Sequence, residues 1–576
     1  MKVGRIPLIL ATLLLVAMGL LMIGPVHQDS ATVDETSFLS AGYSYMAGYR
    51  FYFDPESPPL SQLLVAMPLS SMDVRLSPTA RSLVDRSAGY PWTVPWFGEP
   101  QAIQGLFPQG RDNWYFWPKP EAQIFGQMLV YGGDNDGDAM ISRARFVQVF
   151  VTLAVGVLIF FWVRRAVANE LAALLALALW VFNPSALAYG HLIITDIDGT
   201  LGIGAAILLF ALYLEKPANW RAALCGAAVG AALTMKFNAV TLGPIFAIMA
   251  AVSWRTMKTE GKSLWKHGLF LAGAAWLVIL LAYAPMWAPA PPISSQQAEA
   301  LGVPGWFTGF RLFLIPRDFF KGVALVMSHS KIGHEAYLMG EWSRTGWRTY
   351  FPIAFFVKSP LAFVLATLTG AAWAVARWKS LPLLVKAPWI ATAVYLGMAI
   401  ASNVNIGVRH LLPIFPLLCV GVGCLYAQFQ KIWAKRALFA LAAWQAVIAV
   451  AGYPLYVQFM SEAIGGSKNG YKYLIDSNYD WGQDAKRLKA FLDERHIDHI
   501  YLDYFGTQYS IEYLKISNTR IDAEKARQIV QGWLVVSASQ LMRPEWNWLR
   551  ETRPPTARVA DTLFVYNFNG QTAPAQ

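Results

Sequence analysis

The feature that most constrains this chain is its series of long apolar runs. About 20 mostly apolar residues are enough to cross a bilayer as a helix. Only 14% of the residues are charged, whereas a soluble domain averages about 25%. The sequence therefore predicts a polytopic α-helical membrane protein with about eleven transmembrane helices. The predicted spans lie near residues 6–24, 146–163, 169–188, 198–214, 219–235, 239–254, 266–287, 350–374, 387–402, 410–428 and 436–457.

The basic residues predict how these spans are oriented. The chain has 47 Lys and Arg against 36 Asp and Glu, which gives 47 − 36 = +11. Lys and Arg concentrate in cytoplasmic loops of membrane proteins. With the N-terminus inside, the cytoplasmic loops carry fourteen Lys and Arg, whereas the short outer turns carry only Lys236 and Arg409. The predicted cytoplasmic cations are Arg164, Arg165, Lys216, Arg221, Arg255, Lys258, Lys262, Lys266, Arg377, Lys379, Lys386, Lys431, Lys435 and Arg436.

This orientation divides the chain into two parts. Residues 1–458 form the predicted membrane domain, and its two large outer loops are 25–145 and 288–349. Residues 459–576 follow the eleventh span and form a predicted extracytoplasmic domain. The apolar runs 500–502 and 532–536 are typical of strands, and 484–495 has apolar residues at helical spacing. We therefore predict a small α/β domain at the C-terminal end.

Acidic residues next to the predicted spans are the first candidates for chemistry. Asp34 and Glu35 follow the first span on the outer side. One could act as a general base toward an acceptor hydroxyl, and the other could orient the acceptor or ligate a divalent ion. Asp196 lies at the outer mouth of a later helix pair among apolar neighbours, which favours a function. The alternatives are a solvated loop pair at 34–35 and helix capping by Thr195 or Asp196.

Cations at the same outer rim form the second group of candidates. Arg143 and Arg145 lie where the first outer loop re-enters the membrane, Arg409 precedes a span, and Lys358 lies within an apolar run. Arg can bind phosphate oxygens in a bidentate way, whereas Lys acts as a point charge. Together they would suit an anionic lipid headgroup. The alternative for each of them is snorkelling to bulk lipid phosphates.

Motifs for nucleotide chemistry are missing from the sequence. It contains no P-loop pattern and no GxGxxG. A cytoplasmic mechanism driven by a nucleotide therefore has no support, and the positive charge is better explained by membrane orientation than by nucleic-acid binding.

An ordered set of short motifs resembles the protein O-mannosyltransferase family (glycosyltransferase family 39), and its bacterial members in particular. The motifs run along most of the chain. They are Val33-Asp34-Glu35, Pro58-Pro59-Leu60, Asn183-Pro184, Thr195-Asp196, Lys236-Phe237, residues 337–341, Gly346-Trp347, Tyr350-Phe351-Pro352, Lys358-Ser359-Pro360, residues 405–413 and residues 476–484.

The resemblance implies a C-type glycosyltransferase fold and an inverting enzyme in the bacterial inner membrane. The donor would be a polyprenyl-phosphate sugar on the periplasmic side, and the acceptor a hydroxyl of a protein, glycan or lipid. A divalent metal could take part. By position, Asp34 matches the general base, and Glu35 matches its partner. The other matches are Arg145 near the donor phosphate, Asp196 as a second acid, and Lys358 and Arg409 as further phosphate-binding cations. The central lumenal domain of the eukaryotic members is absent from this sequence.

Three other functions remain open from the sequence. The nearest is sugar transfer onto lipid A, as in aminoarabinose transferases of similar architecture. The second is a transporter for a lipid-linked sugar, although paired broken helices near the midplane are not visible. The third is a scaffold whose C-terminal domain binds a partner. Release of free polyprenyl phosphate from a labelled donor separates an enzyme from the last two.

Overall fold

The structure is a computed structural model that describes residues 4–48, 54, 56–89, 119–133, 135–254, 264–286 and 317–569. Parts of both predicted outer loops, residues 90–118 and 287–316, lie outside the described residues, as do the predicted cytoplasmic cations Arg255, Lys258 and Lys262.

Helices occupy each of the eleven predicted spans. Seven of the described helices are long and apolar enough to cross a membrane, and the prediction of a polytopic α-helical membrane protein is confirmed. The number of crossings stays a prediction, because several of the remaining apolar helices are short. Among the described residues of 1–458, the helices are Arg5–Gln28, Glu35–Met46, Pro59–Ala66, Pro78–Gly89, Lys119–Tyr131, Gly137–Val167, Glu170–Val181, Pro184–Tyr189, Thr195–Glu215, Asn219–Met235, Leu242–Val252, Leu264–Tyr283, Arg317–Ile332, Tyr350–Val357, Leu361–Arg377, Leu383–Ala401, Ile414–Gln428 and Ile432–Ala451.

Two predicted spans are broken, and proline explains both breaks. The run 169–188 divides at Asn183-Pro184, where the Asn183 side chain caps the new helix by accepting from the amides of Ser185 and Ala186. The run 350–374 divides at Pro360. Proline has no amide hydrogen, and it disfavours a helical conformation in the residue before it. The second break leaves Lys358 at a helix end.

Close packing between helices forms the centre of the membrane part. The helices Gly137–Val167, Glu170–Val181 and Ile414–Gln428 share one apolar core, in which Trp162 and Trp180 are fully buried. Gly423 permits the close approach, since a Cβ there would lie 2.9 Å from the carbonyl oxygen of Ala172. Small residues at such crossings are typical of membrane helices.

The C-terminal domain contains a mixed five-stranded sheet. Its strands are β3 Ile500–Asp503, β4 Asn518–Arg520, β5 Trp533–Ser537, β6 Ala557–Val559 and β7 Leu563–Asn567, after a separate hairpin of β1 Ala336–Leu338 and β2 Glu341–Ser343. The order is β4-β3-β5-β7-β6, with β3 parallel to β4 and β5, and β7 antiparallel to β5 and β6. The helices here are Ala485–Glu494, Gln508–Tyr513, Ala523–Ala526, Ala538–Leu541 and Asn547–Thr552.

The strands predicted at 500–502 and 532–536 and the helix predicted at 484–495 are all present. Short 3₁₀ turns connect many of the elements. Two of them, Val408–Leu411 and Asp476–Asn478, lie against each other and contribute to the site described below. The boundary at residue 459 stays a prediction.

Candidate active site

The predicted site residues all lie at or near helix ends on one side of the helical bundle. Asp34 directly precedes the helix Glu35–Met46, and Asp196 lies in the first turn of Thr195–Glu215. Arg145 lies near the start of Gly137–Val167, and Arg409 lies in the turn Val408–Leu411. The structure separates these residues into two groups with different chemistry, and Lys358 belongs to neither.

The first group, named here the open cluster, consists of Asp34, Asp196, Lys236 and Arg409. One terminal nitrogen of Arg409 lies 3.2 Å from the Oδ2 of Asp34 and 4.0 Å from the Oδ2 of Asp196. Lys236 donates to the other oxygen of Asp196. Asp34 retains 18% side-chain exposure. The open cluster therefore alternates two carboxylates with two cations and keeps a carboxylate that is partly accessible.

Arg409 has binding capacity that its protein partners do not use. Its guanidinium carbon lies 4.3 Å from the ring centroid of Trp481, so the two groups form a cation–π contact. The Arg409 Nε is buried and has no hydrogen-bond partner in the part of the chain that the structure describes. A buried donor without a partner is costly, and a phosphate oxygen would satisfy it.

The second group, named here the closed pair, is Glu35 with Arg145, and both side chains are fully buried. Two Arg145 nitrogens donate to the two Glu35 oxygens at 2.8 and 2.7 Å. The three remaining hydrogen bonds from Arg145 go to the carbonyls of Val26, Asp29 and Ser30, at 2.7–2.9 Å. These five bonds use the five N–H groups of a guanidinium.

Glu35 is also fully engaged. Besides Arg145 it accepts from the amides of Thr32 at 2.8 Å and Ile193 at 3.0 Å. Burial acts to raise the pKa of the Glu35 carboxyl, but the Arg145 charge and these hydrogen bonds outweigh burial and hold the pKa below its ordinary value. The closed pair therefore fixes the segment that carries Asp34 against the helix Gly137–Val167.

Protein groups engage the donors of two cations that the sequence predicts to bind phosphate, Arg145 and Lys358. Arg145 was predicted near the donor phosphate, but it is fully buried and its donors are used. Lys358 is also buried, and its ammonium donates to the carbonyls of Val457, Phe459 and Asn478 at 2.6–2.8 Å. Since an ammonium has three donors, none remains for a ligand. Both cations hold neighbouring segments together.

Lys236 and Trp481 are two residues of the site that are not among the predicted site residues. The sequence contains an indication for Lys236, because it and Arg409 are the two cations of the short outer turns. The structure places both cations beside Asp196. Trp481 lies in a motif of the C-terminal part, and nothing in the sequence indicates that this part reaches the cluster. His410 adds a buried Nε2 without a hydrogen-bond partner within the described residues.

The sequence leaves a divalent metal open, and the ligands available for one can be compared with the arrangement of the described residues. Across the ranges that the structure describes, no group of three or more His, Cys, Asp or Glu could hold a metal ion. Both oxygens of Glu35 already accept from Arg145 and backbone amides. The side chains of the open cluster can instead bind an anion and accept a proton.

A central segment of the chain matches a known protein family. Residues 115–285, which include Arg145, Asp196 and Lys236, match the family of dolichyl-phosphate-mannose-protein mannosyltransferases. Over this segment the predicted resemblance is confirmed. The same match confirms the prediction of a membrane glycosyltransferase. Asp34, Lys358 and Arg409 lie outside the matched segment, so their roles stay predictions.

Other comparisons are more distant. No curated protein matches the chain. Two crystal structures of ArnT from Cupriavidus metallidurans are similar to it, one bound to undecaprenyl phosphate and one in the apo state, each with 12% identity and a TM-score of 0.46. The first alignment covers 99% of this chain and 99% of that chain, and the second covers 97% of each. Similarity this low does not define a shared function.

Proposed function

We propose that this protein is an inverting glycosyltransferase that moves a sugar from a polyprenyl-phosphate donor to a hydroxyl acceptor on the outer face of the membrane. One observation carries the proposal. A partly accessible carboxylate, Asp34, lies 3.2 Å from a buried guanidinium, Arg409, whose Nε has no partner among the described residues. A proton acceptor and an anion-binding group are therefore adjacent, as transfer from a sugar phosphate requires.

Arg409 and Lys236 bind the donor phosphate in this proposal. Their positive charges face the place where the leaving group develops negative charge, so they stabilise the transition state more than the ground state. The phosphate takes the unused Nε of Arg409 and competes with Asp34 for the same guanidinium. Arg145 and Lys358, which were predicted for this task, instead support the segments around it.

Asp34 is the general base. The acceptor hydroxyl attacks the anomeric carbon on the face opposite the phosphate, and Asp34 takes its proton as the new C–O bond forms. The bond between that carbon and the phosphate oxygen breaks, and its electron pair leaves with the polyprenyl phosphate. Asp34 makes no capping hydrogen bond with its own helix, so helix capping does not compete for its oxygens. The proton then passes from Asp34 to solvent.

Asp196 keeps the two cations in place. It lies between Lys236 and Arg409 and contacts both, whereas its side chain is almost fully buried. A buried carboxylate between two cations balances their charge before the donor binds. Asp196 therefore acts as a positioning residue for the phosphate-binding cations.

The orientation follows from charge. The opposite end of the bundle carries the ion pairs of Arg164 with Glu170 and Arg165 with Glu215, at helix ends that the positive-inside rule assigns to the cytoplasm. The open cluster then faces away from the cytosol. For a bacterial inner-membrane protein, which the sequence motifs favour, the cluster and the C-terminal domain lie on the periplasmic side.

The test is turnover by the purified protein in lipid nanodiscs. Polyprenyl-phosphate donors carrying a labelled sugar are supplied with a panel of peptide, glycan and lipid A acceptors. We expect free polyprenyl phosphate to appear in step with the glycosylated acceptor, and with inverted anomeric configuration. Movement of intact donor across proteoliposome membranes without release would indicate a transporter. If no donor gave either release of polyprenyl phosphate or movement across the membrane, the scaffold function would remain. Both the transporter result and the scaffold result would contradict the proposal.

A further inference from the structure

We propose that residues 476–484 of the C-terminal part, named here the junction segment, are a positioning element of the active site, with Trp481 as the positioning residue for Arg409. This inference rests on the proposed function, in which Arg409 binds the donor phosphate. It gives the C-terminal part a direct role in the reaction.

The junction segment holds the backbone on the N-terminal side of Asp34. The amide of Ser30 donates to the carbonyl of Gln483 at 2.8 Å, and the amide of Val33 donates to the carbonyl of Trp481 at 3.2 Å. These two bonds span the four residues before Asp34. The position of the proposed base therefore depends on two backbone hydrogen bonds to the C-terminal part.

The same segment holds the turn that carries Arg409. The amide of Val408 donates to the Oδ1 of Asn478 at 2.8 Å, and the Oγ of Ser477 donates to the carbonyl of Ile406 at 2.6 Å. Two residues shortly before Arg409 in sequence, Ile406 and Val408, are thus held by side chains of the junction segment. The base and the phosphate-binding cation are aligned by one common element.

Trp481 contacts both parts of the site. Its carbonyl accepts from Val33, and its ring lies against the Arg409 guanidinium, with 4.3 Å from the guanidinium carbon to the ring centroid. Arg409 differs from Arg145 in having no bidentate carboxylate, since its contacts with Asp34 and Asp196 are at 3.2 and 4.0 Å. The ring therefore holds the guanidinium in place through a cation–π contact and leaves its Nε available.

The junction segment is itself anchored in the C-terminal domain. Asp480 accepts from the amide of Ser539 at 2.8 Å, Asp484 accepts from the hydroxyl of Thr562 at 2.6 Å, and Tyr504 donates to the carbonyl of Gly482 at 2.5 Å. Gly482 has φ +84°, and a Cβ there would lie 2.9 Å from Gly506 and from the carbonyl of Phe505. A side chain at residue 482 would therefore displace the segment.

The first experiment compares Trp481→Ala and Trp481→Phe with a matched control, Trp548→Ala. Trp548 also packs against an arginine, with the Arg527 guanidinium carbon 5.2 Å from its ring, but in the C-terminal domain alone. We expect Trp481→Ala to raise the donor KM roughly tenfold, with the acceptor KM unchanged. Trp481→Phe should restore most of the affinity because it keeps an aromatic face, and Trp548→Ala should match the wild-type protein.

Two further results test whether Trp481 acts through Arg409. Adding Arg409→Lys to Trp481→Ala should cost less than the two changes do separately, since both act through one guanidinium. Additive losses would overturn the assignment of Trp481 to Arg409. Equal losses in Trp481→Ala and Trp481→Phe, accompanied by a lower melting temperature in both, would show that the ring has a structural role alone and would also overturn it.

The second experiment does not depend on activity. Hydrogen exchange at the amides of Ser30, Val33 and Val408 is compared between Gly482→Ala and Gly466→Ala. Gly466 has a similar φ of +75°, but nothing lies within 4 Å of the added Cβ. Faster exchange at these amides in Gly482→Ala alone supports the junction, even if no transfer is found with any donor. Equal exchange in the two variants overturns it.

Discussion

Arg145 and Arg409 are both buried at the same end of the helical bundle, but they have different partners. Arg145 donates five hydrogen bonds, two of them to Glu35. Arg409 shares one nitrogen between Asp34 and Asp196, makes a cation–π contact with Trp481 and leaves its Nε without a partner within the described residues. An arginine whose donors are all used holds structure, and an arginine with an unused buried donor can bind a ligand.

The two adjacent carboxylates, Glu35 and Asp34, differ in burial and hydrogen bonding in the same way as the arginines that they contact. Glu35 is fully buried and accepts four hydrogen bonds, whereas Asp34 is partly exposed and makes one ion pair. One residue along the chain thus separates a group that stabilises the fold from a group that can take a proton. The predictions below test this difference, beginning with the largest expected effect.

Replacing Arg145 with Met should destabilise the protein by about 3–5 kcal/mol, because Glu35 would remain as a buried charge without its partner. Denaturant titration of the protein in detergent measures this loss of unfolding free energy. Arg143→Met is the matched control, since Arg143 lies in the same helix but is exposed. If the two variants were equally stable, the closed pair would not support the fold.

Replacing Arg409 with Lys should leave stability nearly unchanged but weaken donor binding roughly tenfold, because an ammonium keeps the charge and loses the planar donors. The change in affinity is measured as binding of unmodified polyprenyl phosphate in competition with the donor. Lys431→Met removes an exposed cation from the opposite end of the bundle and serves as the control for net charge. A normal affinity in Arg409→Lys would contradict phosphate binding by this residue.

The smallest effect concerns pH. The pKa of Glu35 lies below its ordinary value of 4.5, so its ionised form contributes stability that is fully present above pH 4.5 and is lost as the pH falls toward the folded-state pKa. The difference in unfolding free energy between the wild-type protein and Glu35→Gln should therefore be constant from pH 7 to about 5. Below that it should shrink by at most about 1.4 kcal/mol per pH unit. A difference that grows on acidification would contradict the closed pair.

Much of the fold was predictable, because apolar runs and alternating strands are local patterns. All eleven predicted spans contain helix, and the strands at 500–502 and 532–536 are present. The breaks at Asn183 and Pro360 follow from proline chemistry that the sequence also contains.

The site was less predictable, because partner choice depends on distant residues. Asp34 pairs with Arg409, 375 positions away, and Glu35 pairs with Arg145. A sequence indicates that a rim cation can bind phosphate, but it does not indicate whether protein carbonyls already use its donors, as they do at Lys358. The contact of Trp481 with Arg409 joins two parts of the chain that the sequence predicts as separate domains.

The most direct test compares Asp34→Asn with Glu35→Gln, measuring both turnover and unfolding free energy. Asp34→Asn should fold with nearly normal stability and lose transfer by roughly 10²–10⁴-fold, the usual contribution of a general base. Glu35→Gln should instead lose stability while the fraction that remains folded keeps measurable transfer. Normal turnover in Asp34→Asn, or the same pattern of losses in both variants, would contradict the division of roles between these neighbouring carboxylates.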